Sequence, residues 1–166
     1  MSPRVVLIGA PGSGKSTVGA LVAERLGVEF RDTDTDIEAT AGTTIADIFV
    51  EKGEVEFRAM ERTAVKTALT SHDGVLALGG GAVLDDRTRK DLCSQRVVFL
   101  DVSLGDAVRR VGLATARPLL LGNVRGQLKQ LLDARRPLYA EVATVTVATD
   151  GREPDDIAAE VLRAIS

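Results

Sequence analysis

The sequence predicts an α/β protein with three layers, in which a five-stranded parallel sheet lies between two layers of helices. Short apolar runs rich in β-branched residues alternate along the chain with segments whose apolar residues recur every three or four positions. A glycine-rich turn joins the first run to the first periodic segment. Such alternation is typical of βαβ units, whose strands are parallel and whose crossover helices cover both faces of the sheet.

Five short runs are interpreted as strands, and seven segments between and after them as helices. The first helix carries Val18, Leu21, Val22 and Leu26 on one face and has Gly27 as a natural stop. The last helix repeats isoleucine or valine every four residues and has a proline in its first turn, where a helix tolerates one. The predicted strands are residues 4–9, 28–32, 74–78, 96–102 and 143–148, and the predicted helices are residues 15–26, 34–41, 44–69 with a break near Gly53, 85–93, 105–111, 124–134 and 155–165.

Length, composition and charge narrow the possible functions. A chain of 166 residues with 45% hydrophobic and 27% charged residues fits one folded domain spanning 1–166. The net charge of −3 and the 3% of aromatic residues disfavour nucleic-acid binding, and no apolar run is long enough to span a membrane. A single cysteine, Cys93, excludes an intrachain disulfide. We expect a monomer in the cytoplasm with no nucleic-acid or membrane partner.

The glycine-rich turn predicts a nucleoside-triphosphate site. Residues 9–16 read Gly-Ala-Pro-Gly-Ser-Gly-Lys-Ser and match G-x-x-x-x-G-K-[ST] between a strand and a helix. Backbone N–H groups of such a loop surround phosphates, the lysine contacts the β- and γ-phosphates, and the hydroxyl binds Mg²⁺. No N-K-x-D string typical of GTP switches occurs, so a small phosphotransferase is expected. The predicted nucleotide ligands here are Gly12, Ser13, Gly14, Lys15, Ser16 and Thr17.

Two carboxylates follow the second predicted strand. Alternation along a strand would place Asp32 and Asp34 on one side, at the sheet edge where α/β proteins bind ligands. One could bind Mg²⁺ through water, and the other could accept the proton of a substrate hydroxyl. The alternative is that they belong to the N-cap and first turn of the next helix, which is the preferred interpretation for Asp36.

Arginines and glycines further along the chain suggest a small anionic acceptor. Arg58 and Glu61 are i, i+3 neighbours on a helix, so Glu61 could orient the guanidinium, although such pairs are usually solvated surface pairs. Three successive glycines after the third strand suggest backbone N–H groups close to a ligand, the alternative being loop flexibility. The remaining candidates are Gly79, Gly80 and Gly81 in that loop, Arg109 and Arg110 on the adenine side, Arg117 on a mobile lid, and Arg135 and Arg136 at the end of a helix.

Together these motifs resemble the shikimate kinase family over essentially the whole chain. They are the phosphate loop continuing to Gly19, D-T-D at residues 32–34, I-x-x-I-F with G-E-x-x-F-R-x-x-E at residues 45–61, and G-G-G at residues 79–81. R-P-L-L at residues 117–120 and R-x-P-L-Y at residues 135–139 complete the set. The resemblance implies a nucleoside-monophosphate-kinase fold with strand order 2-3-1-4-5, a substrate-binding helical region at about 33–61 and a lid at about 112–124.

The same resemblance implies an activity and a role for each matched residue. The activity is transfer of the ATP γ-phosphate to the 3-hydroxyl of shikimate, on the route to chorismate and aromatic amino acids. Implied roles are phosphate binding by Lys15 and Arg117, metal binding by Ser16 with Asp32 as an outer-sphere partner, and hydroxyl binding by Asp34 with possible base action. Arg58 and Arg135 would bind the substrate carboxylate, Gly79, Gly80 and Gly81 its hydroxyls, and Arg110, Arg152 and Pro154 would flank adenine.

Three alternatives are weighed against this interpretation. A gluconate kinase on the same scaffold is the nearest, and the arginine pair before Pro137 and the D-T-D string argue against it. A non-catalytic ATP-binding regulator should lack Lys15, Asp32 or Arg117, and all three are present. In the family's R-x-P-L-Y motif the carboxylate ligand stands two residues before the proline, so the resemblance implies Arg135 and not Arg136 for that role.

Overall fold

A computed structural model describes residues 2–114 and 124–166 of the chain. Within these residues, five strands and seven helices follow one another in the order that the sequence predicts, and one 3-10 turn that was not predicted comes after the third strand. The strands are β1 (Val5–Ile8), β2 (Phe30–Asp32), β3 (Val75–Ala77), β4 (Val97–Asp101) and β5 (Val145–Ala148). The helices are α1 (Lys15–Leu26), α2 (Thr33–Ala41), α3 (Ile45–Ser71), α4 (Asp86–Leu92), α5 (Leu104–Ala114), α6 (Val124–Val142) and α7 (Pro154–Ile165), with the 3-10 turn at Ala82–Leu84.

The strands form one parallel sheet in the order β2-β3-β1-β4-β5, which confirms the predicted order. The central strand β1 is fully buried, and Val6 pairs with Leu76 on β3 and with Val97 on β4. Strand β1 lies between β3 and β4, and the loop that follows it is at the carboxyl edge of the sheet. Open α/β sheets bind ligands at this edge.

Each face of the sheet is covered by its own hydrophobic core, which makes the three predicted layers. Val6 and Ile8 face a core shared with α3, α4, α5 and α6. Val5 and Leu7 face the opposite core, shared with α1 and α7. This division follows from the two-residue period of a strand, which sends successive side chains to opposite faces. A third, smaller core of Ile37, Ile48 and Phe57 holds α2 against α3.

Helix α3 contains the break that the sequence predicts near Gly53. Gly53 has φ 84° and ψ 170°, a conformation outside the helical region that residues with a side chain rarely adopt. Thr44 caps the first part by accepting a hydrogen bond from the Asp47 N–H at 3.2 Å. The break separates residues 45–52 from the long second part of the helix, which carries Arg58 and Glu61.

Helix α6 differs from the prediction, which ended it at residue 134. It continues through Pro137 to Val142. A proline inside a helix removes one hydrogen bond and costs about 3 kcal/mol. Tyr139 and Val142 are buried beyond it, at 1% and 7% exposure. Burying two large side chains contributes about 1.5–3 kcal/mol each, so core packing outweighs the proline.

The predicted lid lies largely outside the described residues. Residues 115–123, with Arg117, are among those that the structure does not describe. Within the described ranges, no helix combines the length and the apolar composition needed to cross a membrane.

Candidate active site

The phosphate loop connects β1 to α1 at the carboxyl edge of the sheet. Gly14 is the N-cap of α1 with φ 92°, a conformation that suits glycine and turns the chain into the helix. The Lys15 ammonium donates hydrogen bonds to the carbonyl oxygens of Gly9 at 2.7 Å and Ala10 at 3.1 Å. The lysine thus lies over its own loop, and the N-terminus of α1 adds a positive field suited to phosphate.

Burial dominates the electrostatics of Lys15. It lowers the pKa of the ammonium to about 8, with a smaller contribution in the same direction from Arg135. The carboxylates of Asp34 and Asp32 oppose this and favour the charged form. Because little water screens this buried ammonium, it interacts strongly with an additional negative charge such as a polyphosphate.

Ser16 and Asp32 face each other where α1 begins and β2 ends. The Ser16 hydroxyl donates to Asp32 Oδ2 at 3.1 Å, while Asp32 Oδ1 caps α2 by accepting from the Asp34 N–H at 2.9 Å. A hydroxyl and a carboxylate oxygen form the oxygen donor set that Mg²⁺ prefers, so these two side chains fit a magnesium ion.

Asp34 joins the site by a different route from the predicted one. The strand ends at Asp32, so Asp34 lies in the first turn of α2 and the expected strand alternation was wrong for it. The helical turn nevertheless places the carboxyl group close to Asp32, Glu61 and Lys15. Burial, followed by the charges of Asp32 and Glu61, raises the pKa of Asp34 to about 6, and Lys15 partly offsets this.

The glycines after β3 allow functional side chains to lie directly against the backbone. A Cβ added to Gly79 would lie 2.5 Å from Asp34 Oδ1 and 2.9 Å from Glu61 Oε2. A Cβ added to Gly81 would collide with the guanidinium of Arg58. The Gly79 N–H donates to Thr33 Oγ1 at 3.2 Å, which ties the loop to α2. Crowding by protein side chains is therefore one reason for glycine here, in addition to any contact with a ligand.

Arg58 and Glu61 form a partly buried pair and not a solvated surface pair. Arg58 Nη1 donates to Glu61 Oε1 at 2.8 Å, and the Glu61 residue is 4% exposed. Burial raises the pKa of Glu61, and the hydrogen bond and charge of Arg58 partly reverse that shift. The guanidinium carbon also lies 5.2 Å from the ring centroid of Phe57 and 6.0 Å from that of Phe49. These contacts fix the orientation of the guanidinium.

A cavity of about 410 Å³ lies beside this pair. It is lined by Arg58, Glu61 and Gly81 together with apolar side chains that include Val55 and Leu84. Of the predicted acceptor ligands, only Arg58 and Gly81 line this cavity, and Asp34 and Arg135 do not.

The two arginines before Pro137 have different surroundings. Arg135 Nη1 lies 3.4 Å from the position of a Cβ added to Gly80, and its charge acts on Lys15 and Glu61. Arg136 instead binds the end of β4, through Asp101 Oδ1 at 3.3 Å and the Val102 carbonyl at 2.8 Å. The first arginine borders the glycine loop, and the second attaches α6 to the sheet.

A second cleft, of about 460 Å³, lies on the other side of the phosphate loop. Arg110 lines the cleft and donates hydrogen bonds to the carbonyl oxygens of Gly12 at 2.8 Å and Thr149 at 3.1 Å. Arg152 donates to Ala148 O at 2.8 Å. The lining includes Gly12, Thr17, Arg109, Arg110, Arg152 and Pro154, so the predicted adenine-side residues share one cleft with the phosphate loop.

Two residues of the site were not candidates in the sequence. Thr33 holds the Gly79 N–H, and the Tyr139 hydroxyl donates to the Gly80 carbonyl at 2.6 Å. Thr33 stands inside D-T-D and Tyr139 ends R-x-P-L-Y, so the motifs contained both, but the partners of each are distant in sequence.

Comparison with known proteins identifies the family. The model of a family described as shikimate kinase matches residues 11–166. The chain belongs to the shikimate kinase family. A shikimate kinase of Salinispora arenicola is 62% identical over 161 residues, which cover 97% of this chain and 96% of that protein. Members of this family are kinases with an alcohol acceptor, so this chain is a phosphotransferase.

Solved structures agree with the family in sequence and in fold. The shikimate kinase from Acinetobacter baumannii, solved in complex with shikimate, is 38% identical with a TM-score of 0.91. The alignment covers 99% of this chain and 93% of that one. A gluconokinase from Sinorhizobium meliloti is 23% identical with a TM-score of 0.60, over 97% of this chain and 90% of that one. That second likeness extends to the fold alone.

Proposed function

We propose that this protein transfers the γ-phosphate of ATP to the 3-hydroxyl of shikimate, giving shikimate 3-phosphate and ADP on the route to chorismate. The observation that carries the proposal is the convergence of Asp34, Arg58 and Arg135 on one glycine loop, with the Lys15 ammonium close enough to Asp34 and Arg135 for their charges to act on it. The loop stands between a site for polyphosphate and a site for a carboxylate, and phosphoryl transfer to a hydroxylated acid needs both.

The nucleotide has its own set of residues in this proposal. The N–H groups of Gly12–Thr17 and the Lys15 ammonium bind the phosphates. Adenine occupies the 460 Å³ cleft, between Arg110 on one side and Arg152 and Pro154 on the other. Arg117 contributes positive charge from the lid, which helps stabilise the phosphoryl oxygens in the transition state.

Ser16 and Asp32 hold the magnesium ion in this proposal. When bound, Mg²⁺ neutralises charge on the phosphate oxygens. Because Asp32 already accepts from Ser16 and from the Asp34 N–H, its carboxylate is oriented before the ion arrives. The described residues contain no group of three or more side chains that could hold a metal ion, so phosphate and water oxygens would complete the coordination.

The acceptor is bound through charge at one end and hydroxyl contacts at the other. Arg58 and Arg135 pair with the carboxylate, since guanidinium groups bind carboxylates through two parallel hydrogen bonds. Asp34 accepts from the ring hydroxyls, and the N–H groups of Gly80 and Gly81 donate to them, while the Gly79 N–H is held by Thr33. Gluconate also offers a carboxylate and hydroxyls, but no observation on this chain favours it.

Asp34 orients the reacting hydroxyl and accepts its proton as the phosphoryl group transfers. A carboxyl group with a pKa of about 6 is ionised at neutral pH and is a better base than an ordinary aspartate. Lys15, close to the same carboxylate, keeps the local charge balanced. We also propose that the protein acts as a monomer in the cytoplasm, where ATP is available.

A coupled ADP-release assay with shikimate and with gluconate tests the proposal. We expect turnover with shikimate, dependence on Mg²⁺, and a product whose phosphate is assigned to the 3-position by ³¹P and ¹H NMR. A Lys15→Ala variant serves as the inactive control. Turnover with gluconate alone, or phosphorylation at another hydroxyl, would contradict it.

A further inference from the structure

Tyr139 connects the core of the protein to the glycine loop through a single hydrogen bond. Its hydroxyl donates to the Gly80 carbonyl oxygen at 2.6 Å. The residue is 1% exposed, and its ring centroid lies 5.0 Å from that of Phe99 on β4. Burial raises the pKa of the phenol, which therefore stays protonated and able to donate at neutral pH. The glycine loop thus accepts a hydrogen bond from a hydroxyl whose position is fixed by packing.

This bond determines the direction of the next N–H group. A trans peptide is planar, with its C=O and N–H pointing in opposite directions, and none of the peptide bonds that the structure describes is cis. Because the Gly80 carbonyl points at Tyr139 in the core, the Gly81 N–H of the same unit points away from it. Within residues 2–114 and 124–166, no protein group accepts from that N–H. This unit is the central peptide of a turn that the Ala82 N–H closes by donating to the Gly79 carbonyl at 3.0 Å. A central peptide between two glycines can rotate within such a turn, so the contact with Tyr139 selects its orientation.

The same helix carries Arg135 one turn before Tyr139. Side chains four residues apart lie on one face of a helix. The Arg135 guanidinium is close enough to the phenol to oppose the rise in its pKa, and its Nη1 lies 3.4 Å from the position of a Cβ at Gly80. One turn of α6 therefore contacts the loop through two side chains.

We propose that Tyr139 is a positioning residue for the acceptor substrate, whose hydroxyl fixes the 80–81 peptide so that the Gly81 N–H donates to a ring hydroxyl while Arg135 binds the carboxylate. The inference rests on the proposed function and adds to it the residue that aligns the loop. Tyr139 itself does not contact the substrate.

A Tyr139→Phe variant removes the hydroxyl and keeps the aromatic ring. Because one hydrogen-bond donor to the substrate is then misaligned, we expect the KM for shikimate to rise about three- to tenfold. The kcat and the KM for ATP should stay within about twofold of the unsubstituted protein. A shikimate KM within twofold of the unsubstituted value would overturn the proposal. An equal rise in both KM values would overturn it too, since it would indicate a general disturbance.

Thr144→Val is the matched control because it removes a hydroxyl that bonds to backbone at the other end of the sheet. Thr144 Oγ1 accepts from the Val97 N–H at 3.0 Å, at the start of β4. Both KM values should be unchanged in this variant, even where its melting temperature falls as much as that of Tyr139→Phe. If Thr144→Val also changed the KM for shikimate alone, the effect of Tyr139→Phe would not be specific to the glycine loop, and this would count against the proposal.

Fluorine NMR on the intact chain decides the question if Tyr139→Phe does not fold. Tyr139 is the single tyrosine of the sequence, so 3-fluorotyrosine incorporation gives one resonance. A substrate that accepts from the Gly81 N–H polarises the peptide and strengthens the bond to Tyr139, so shikimate without nucleotide should shift this resonance. No shift at saturation would overturn the proposal. Absence of shikimate turnover by the unsubstituted protein would instead refute the proposed function, independently of the variant.

Discussion

At the scale of single residues, the site combines charges that burial disfavours. Asp34, Glu61 and Lys15 are all largely removed from water, and burial is the first cause of the shift in the pKa of each. Asp34 carries the clearest cost, since the nearby carboxylates of Asp32 and Glu61 add to the effect of burial. Charges held in this way are ready to act without rearrangement, at the expense of stability.

Replacing Asp34 by asparagine should stabilise the fold at high pH while it abolishes activity. The folded pKa, about 6, is above the ordinary value of 3.8, so Asp34 favours folding below about pH 4 and this contribution is lost as the pH rises through 6. Asparagine stays neutral. We expect Asp34→Asn to gain about 1–2 kcal/mol in unfolding free energy at pH 8, after allowing for solvent screening, and about half as much at pH 5, which lies between the unfolded and folded pKa values.

Urea denaturation at the two pH values measures this difference. The activity of the unsubstituted protein should fall below about pH 6, as Asp34 binds a proton. A stability gain of equal size at pH 5 and pH 8 would show that the ionisation of Asp34 is not its cause.

The two arginines before Pro137 give a second prediction at this scale. Arg135→Ala should raise the KM for shikimate by more than about tenfold with the KM for ATP near normal, since a charge-assisted pair contributes about 1.5–3 kcal/mol. Arg136→Ala should affect mainly stability, because Arg136 binds Asp101 and Val102. Steady-state kinetics on both variants measures this, and the reverse pattern would show that the carboxylate ligand is Arg136.

At the scale of elements, the loop after β3 is shaped by the helices around it. Helix α2 contributes Asp34, α3 contributes Arg58 and Glu61, and α6 contributes Tyr139, all against Gly79–Gly81. Side chains from three helices contact a loop that has no side chains of its own, so the conformation of the loop depends on the position of each helix. Changes in this loop should therefore affect acceptor binding before they affect the fold.

Gly81→Ala tests this view of the loop. Gly81 has φ −99°, which alanine adopts without strain, so the effect should come from the clash of the new methyl group with the Arg58 guanidinium. We expect a rise of at least about tenfold in the KM for shikimate, from disturbance of a charged pair. Gly105→Ala is the matched control, because its nearest atom is Ser103 Oγ at 4.0 Å. Equal kinetics for the two variants would contradict the argument.

At the scale of the whole molecule, the central strands hold the site because they are buried on both faces. Leu76 on β3 is fully buried in the core shared with α3 and α6, whereas Leu84, after the glycine loop, is 41% exposed. Leu76→Ala should lower the unfolding free energy by about 2–5 kcal/mol and Leu84→Ala by less than about 1 kcal/mol. Denaturant unfolding compares them, and similar losses would mean that the sheet core does not dominate stability.

The fold class and the phosphate loop were predictable from local patterns in the chain: apolar runs, helical spacing, and glycines followed by lysine. The strand order was predictable only through the family resemblance. The break at Gly53 was also predictable, because glycine is the residue that leaves a helix most easily. Arg117 and the other predicted ligands remain predictions of the motifs.

Only the tertiary structure decided how distant residues meet. Helix α6 passes Pro137 because Tyr139 finds a place in the core, and local propensity contains no information about that core. Asp34 lies at the start of a helix that the sequence predicts, but only the fold brings that turn close to Glu61 and Lys15. Arg135 and Arg136 are adjacent and chemically identical, and they differ because the helix turns by about 100° per residue and places one toward the glycine loop and the other toward β4.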